Sequence, residues 1–214
     1  MEQTDRIRER RDEFWRGVGQ LGAQRGPLGD ADEPALWPTG SSAYLHVVTP
    51  HSGVVATDGL SDPSGDEGES AAPGLGVEVY VEGRELVEGP EGEGRWLATA
   101  LEEAAGAIAG AGTSLGEALA SHDLLSLELS AGDAPADWVA EGRLGALVGV
   151  ELPGRGQAFD VEGGRVRALA LTPLRPSELA VVTAEGAAGR RRIAEALADA
   201  GWYSYADSTR PSVA

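Results

Sequence analysis

Gly112-Thr113-Ser114-Leu115-Gly116 has the G-x-S-x-G spacing that exposes a serine nucleophile on a strand-to-helix turn in hydrolases. The context differs here, because an Ala- and Gly-rich helical stretch precedes the motif where that turn needs a strand. His122 is the only histidine after Ser114, too near in sequence to serve as base in the order serine, acid, histidine. Ser114 to Glu117 reads instead as a capping box for a short helix. The chain contains no lysine, which removes the phosphate-loop lysine and Schiff-base chemistry, and no cysteine, which removes thiol nucleophiles, disulfides and zinc ribbons. His46, His51 and His122 lack the spacing of a zinc site, and Asp58, Asp62, Asp66, Glu67 and Glu69 lack the alternation of a calcium loop. No catalytic, metal or cofactor residue is therefore expected.

One polar constellation remains. A hairpin closed by Pro50 to Gly53 that pairs Thr49 with Val54 sets His46 opposite Thr57, next to Asp58. The expectation is a half-buried His46 hydrogen-bonded to Thr57 or Asp58.

The elements that position these groups follow from periodicity. Ala43 to Thr49 and Val54 to Thr57 are β-branched runs separated by turn chemistry. Leu75, Val77, Val79 and Val81 alternate with Gly76, Glu78, Tyr80 and Glu82, the pattern of a strand buried on one face and wet on the other. Thr4 to Leu21 predicts a helix with Ile7, Phe14, Trp15, Val18 and Leu21 near one face, although Arg10 and Arg11 intrude on the stripe. Residues 22–40, with three prolines, read as an extended connection in which Trp37 plugs a groove. Arg95 onward predicts an amphipathic helix ending near Gly110 and Gly112. Leu124 to Leu129 and Leu144 to Leu152 have strand length. Phe159 to Arg167 predicts a hairpin turning at Gly163-Gly164, with Glu162 facing Arg165 and Asp160 facing Arg167. Pro176 and Glu178 mark the start of a helix, and a last helix covers Arg190 to Ala200.

The 214 residues suffice for one domain, and the 17 basic residues, all arginine, against 35 acidic ones give a net charge of −18. Such charge repels nucleic acid and anionic lipid and favours a basic protein partner. The charged N-terminus lacks an apolar signal core, so a cytoplasmic protein is expected. Oligomeric state stays open. Two acidic loops, residues 58–69 and 88–93, suit long-range steering, with Asp62, Asp66, Glu67 and Glu69 as steering charges. Tyr80 and Trp37, or an open sheet edge, are the candidates for lasting affinity.

The order of signals resembles a known family. Val55-Ala56-Thr57-Asp58-Gly59-Leu60-Ser61, then Gly74-Leu75-Gly76-Val77-Glu78-Val79, an Ala-rich helix, and Leu171-Thr172-Pro173-Leu174-Arg175-Pro176-Ser177-Glu178-Leu179 are similar to a bacterial Suppressor-of-fused-like domain. The resemblance implies an α+β fold without enzymatic activity that grips protein partners, in bacteria as an immunity protein against a secreted toxin. The expected architecture is a mixed or antiparallel sheet of short strands packed against a few amphipathic helices. Residues 1–36 form an N-terminal helix and connection, 37–201 the Suppressor-of-fused-like domain, and 202–214 a tail. The alternative from another class is a divergent hydrolase or other small-molecule enzyme.

Overall fold

The computed structural model describes residues 3–28, 37–63 and 73–214. Helix α1 (Gln3–Val18) leads into strand β1 (Gln20–Gly26), followed by β2 (Tyr44–Val48), β3 (Gly53–Thr57) and β4 (Val77–Gly83). Helices α2 (Arg95–Ala111) and α3 (Thr113–Ser121) precede β5 (Leu125–Ser130), β6 (Arg143–Val148), β7 (Ala158–Val161) and β8 (Gly164–Leu174). Helices α4 (Pro176–Glu185) and α5 (Ala187–Asp199) and the short strand β9 (Tyr205–Ala206) follow. The strands build a mixed sheet in the order β1-β2-β3-β4-β8-β6-β5, with β7 also on β8 and β9 also on β4. Among the described residues only β4–β8 and β4–β9 run parallel. This is the expected α+β class.

Side-chain alternation along the strands builds three layers. Val55, Val77, Val79, Val81, Leu169 and Val148 face α2, whose Leu97, Leu101 and Ile108 fill the core on that side. Leu45, Val47, Val54, Ala56, Tyr80, Ala168 and Ala170 face the opposite way, onto Trp15 of α1. Leu147 and Leu174 on that second side meet Val182, Ile193 and Leu197 of α4 and α5. The α1 helix thus covers the face of β4 that alternation alone leaves to solvent, and every residue of β4 is buried, Glu78 and Glu82 included.

Several sequence expectations are corrected. Gln20–Gly26 is a strand paired with β2, so the segment after α1 belongs to the sheet and residues 3–26 to the same packed body. Its polar, Gly-rich sequence carries no apolar alternation, and backbone pairing alone defines it. The β2–β3 hairpin pairs Val48 with Gly53 and Val47 with Val54, two residues from the predicted register, and so sets His46 opposite Val55 and Tyr44 opposite Thr57. A physical reason lies at Gly53, where any Cβ would come within 1.9 Å of the Leu86 carbonyl oxygen. The β7–β8 hairpin turns at Glu162-Gly163, pairing Val161 with Gly164 and Asp160 with Arg165. Gly163, at φ 93°, supplies the left-handed conformation that the turn needs. Residues 202–214 are no loose tail, since Tyr205 and Ala206 pair with β4 and Arg210 is buried.

Val166, fully buried on β8 beside that turn, separates the tolerances of the two positions. Val166→Asp is expected to cost at least about 3 kcal/mol, whereas two residues inserted between Glu162 and Gly163 cost under about 1 kcal/mol. Urea unfolding of both variants checks this; equal losses contradict the register.

Candidate functional site

The loop that follows β3 closes around a buried cation from α1. Arg11 is fully buried; its Nε donates to Asp58 Oδ1 at 2.7 Å, and one terminal nitrogen donates to Glu78 Oε1 at 2.8 Å and to Asp62 Oδ1 and Ser61 Oγ at 3.0 Å. Glu78 also accepts from the Thr57 and Ser61 hydroxyls and from the Gly59 and Ser61 amides at 3.3 and 3.1 Å. Thr57 Oγ in turn accepts the Val79 amide at 2.9 Å, which leaves its own proton for Glu78. Burial alone lowers the Arg11 pKa, yet the facing carboxylates of Glu78, Asp58 and Asp62 outweigh it and hold the guanidinium ionised. Burial pushes the Glu78 carboxyl above its ordinary range, against the pull of Arg11 and the two hydroxyls.

The predicted cluster of His46, Thr57 and Asp58 does not form. His46 Nε2 donates to the Leu86 carbonyl at 2.7 Å, Thr57 turns to Glu78 and Asp58 to Arg11. Asp62, read as a steering charge, is 2 % exposed and paired with Arg11. Asp66, Glu67 and Glu69 lie outside the described residues. Tyr80 and Trp37 are core residues, Tyr80 edge-on to Trp15 at 5.5 Å and Trp37 edge-on to Tyr44 at 5.3 Å, so neither offers a surface anchor.

A second buried pair explains the Thr172-to-Leu179 motif. Glu178 at the start of α4 accepts both terminal nitrogens of Arg210, at 2.6 and 2.7 Å, together with the backbone amides of Arg175 and Val213. The Arg175 and Arg210 guanidinium carbons lie 4.2 and 5.1 Å from the Trp138 ring, which packs against Trp96 over α2. The motif therefore fastens residues 207–214 to the body of the fold.

With these charges internal, the surface is distinguished by the sheet edge at β5. Ser130 donates its amide to the Glu103 carboxylate of α2 at 2.9 Å, while Ala131 donates to Gly142 across the β6 side. The two-residue period then directs the amides and carbonyls of Ser126 and Glu128 away from β6. Among the described residues no strand pairs with that outer side. Beside it lies a cleft of about 440 Å³ between β5 and the α2–α3 pair, walled by Ile108, Ala111, Leu115, Leu125 and Leu127.

Ser114 and His122 line the same cleft. Helical rise separates them by about 12 Å along α3, too far for a nucleophile and its base. Ser114 is the second residue of α3 and Gly112 its cap, which corrects the predicted capping box.

Sheet order, helix layers and buried ion clusters together define an α+β scaffold with one guarded, partly open edge. Its fold is that of a Suppressor-of-fused-like domain: a chain of the Sufu–Fu complex crystal structure matches 99% of this chain over 92% of its own length, with TM-score 0.53 and 16% identity. Drosophila Suppressor of Fused matches with TM-score 0.47 and 12% identity, and this chain spans about half of its length, 51%. No family model and no curated protein matches the sequence. No helix among the described residues is long and apolar enough to cross a membrane.

Arg11→Met is expected to cost about 3 to 5 kcal/mol by leaving carboxylates buried without their cation, whereas Arg10→Met on the exposed side of the same helix leaves the unfolding midpoint unchanged. Glu78 gives a pH signature. Because its folded pKa is raised, the native state binds the proton more tightly, and its contribution to stability declines as pH rises from the ordinary carboxyl range through the folded value. Glu78→Gln mimics the protonated acid, so the stability of this variant relative to wild type is expected to improve from about pH 4.5 to pH 7. Urea titrations at both pH values check the sign; a gap that widens in favour of wild type contradicts it.

Proposed function

We propose that this domain is a protein-binding module that accepts an extended segment of its partner as an added strand on the outer side of β5, without chemistry on it. The observation that carries the reading is the pair of outward-facing residues, Ser126 and Glu128, beside an apolar cleft. Main-chain groups left open there offer four hydrogen-bonding positions, and alternate partner side chains reach the cleft wall. The other terminal strand, β1, suits addition less, because its register to β2 shifts between Leu21 and Arg25. The likeness to a chain from a complex, Sufu with Fu, supports protein binding as the use of this fold. A hydrolase reading finds no support in the cleft, where among the described residues no carboxylate lines the wall to complete a Ser114 and His122 arrangement.

The partner in this reading is basic. A net charge of −18 and the exposed Glu88, Glu91 and Glu93 attract a cationic surface, and Asp66, Glu67 and Glu69 add to the same field. A nucleic-acid-cleaving toxin in the cytoplasm has such a surface, which would make the chain its immunity protein. Nucleic acid and membrane are disfavoured by the same charge.

Ser126→Pro tests the edge directly, since it removes an amide that β6 does not use. The variant is expected to keep its unfolding midpoint and to bind a captured partner at least 100-fold more weakly by surface plasmon resonance; unchanged affinity rejects strand addition at β5. Neutralising Asp66, Glu67, Glu69, Glu88, Glu91 and Glu93 together is expected to slow association several-fold at low salt and flatten its salt dependence while leaving dissociation unchanged. A loss confined to dissociation contradicts steering.

A further inference from the structure

The cleft beside β5 departs from the charge of the molecule. Acidic residues outnumber basic ones 35 to 17 in the sequence, yet among the described residues no Asp or Glu lines this cleft, whose charged and titratable wall residues are Arg190 and His122. Arg190 stands in the first turn of α5, half-buried, where the helix N-terminus adds to its positive potential. Its neighbour Arg192 pairs with Glu185, whereas no carboxylate among the described residues lies in an ion pair with Arg190. Apart from Ser114 and Ser126 the remaining wall is aliphatic, and the cleft is about the size of two or three side chains.

Resting on the reading of β5 as a binding edge, we infer that the partner segment presents a carboxylate to Arg190, most simply its C-terminal one, with an aliphatic side chain in the cleft beneath it. Three features support a peptide terminus as the occupant. The open amides of β5 lie along the cleft, so an extended backbone and its side chains are accommodated together. Glu103 closes the edge at Ser130, which limits the added segment to the residues opposite Ser126 and Glu128 and favours a short end over an internal strand. Leu124, just before β5, packs in the same cluster as Ile193, one turn along α5 from Arg190, so the cation stands at the end of the cleft opposite Glu103. A carboxylate there meets a guanidinium in a partly dry site, where a charge-assisted pair discriminates more strongly than on open surface.

The test uses a fluorescein-labelled peptide, GSVTV, with a free C-terminal carboxylate, and the same peptide amidated, titrated by fluorescence anisotropy against the full chain. The acid is expected to bind at least 10-fold more tightly than the amide, Arg190→Gln to erase that difference, and Ala118→Trp, which fills the cleft, to abolish binding of both. Circular dichroism confirms that each variant is folded. The inference is overturned if neither peptide binds, if Arg190→Gln keeps the preference for the acid, or if acid and amide bind alike. Equal binding of both, lost in Ser126→Pro, overturns the carboxylate and leaves strand addition standing. Octanoate binding that ignores Ser126→Pro, with no peptide binding, identifies a free aliphatic acid as the occupant and overturns the peptide assignment.

Discussion

The burial of Arg11 constrains more of this structure than any other single contact. A guanidinium removed from water costs several kcal/mol unless it is paired and hydrogen-bonded, and the partners of Arg11 come from two stretches remote from α1: the loop carrying Asp58, Ser61 and Asp62, and Glu78 on β4. The cluster forms only when α1, the loop and β4 are all in place. The helix therefore docks in one rotation, with Ile7 and Trp15 on the same side as Arg11, and the loop takes one path. Gly59, at φ 147°, lets the backbone turn so that its amide reaches Glu78. Gly74 lets the chain return against the loop, because a Cβ there would sit 2.4 Å from the Asp62 carbonyl oxygen.

Much of the architecture was legible from periodicity. The α2 helix from Arg95, the β4 strand and the Pro176 start of α4 stand where the sequence places them, since each is decided by local residue type, although β4 is buried on both faces where its alternation left one to water. The charged interior was not legible. Arg11 reads as an intrusion on an apolar stripe, although its spacing of four from both Ile7 and Trp15 marks it as inward-facing. Its carboxylates lie 47 to 67 residues away, and no local rule links them. Acidic, Gly-rich loops are usually solvated, so Asp58 and Asp62 read as surface charge. Arg210 of the C-terminal segment was missed for the same reason, while Glu178 was seen only as a charge at a helix start. The β5 edge escaped because openness belongs to strand order, which the sequence of a strand does not carry.

These internal ion clusters bear on binding through what they leave outside. Helices on both sides bury the central strands, and the cores around Tyr80 and Trp37 are closed, so recognition falls to loops and edges. At β5 the α2 helix does two things: its apolar side builds one wall of the cleft, and Glu103 covers the last outward amide. An edge guarded at one end and open at the other resists indefinite pairing between copies while still admitting a short segment.

The central claim is that the partner lies along Ser126 and Glu128. Amide hydrogen exchange, read residue by residue in the free domain and in complex with its captured partner, tests it most directly. The account predicts slowed exchange at the Ser126 and Glu128 amides on binding, with β1 unchanged; protection on β1 or the acidic loops with Ser126 and Glu128 exchanging as in the free domain would contradict it.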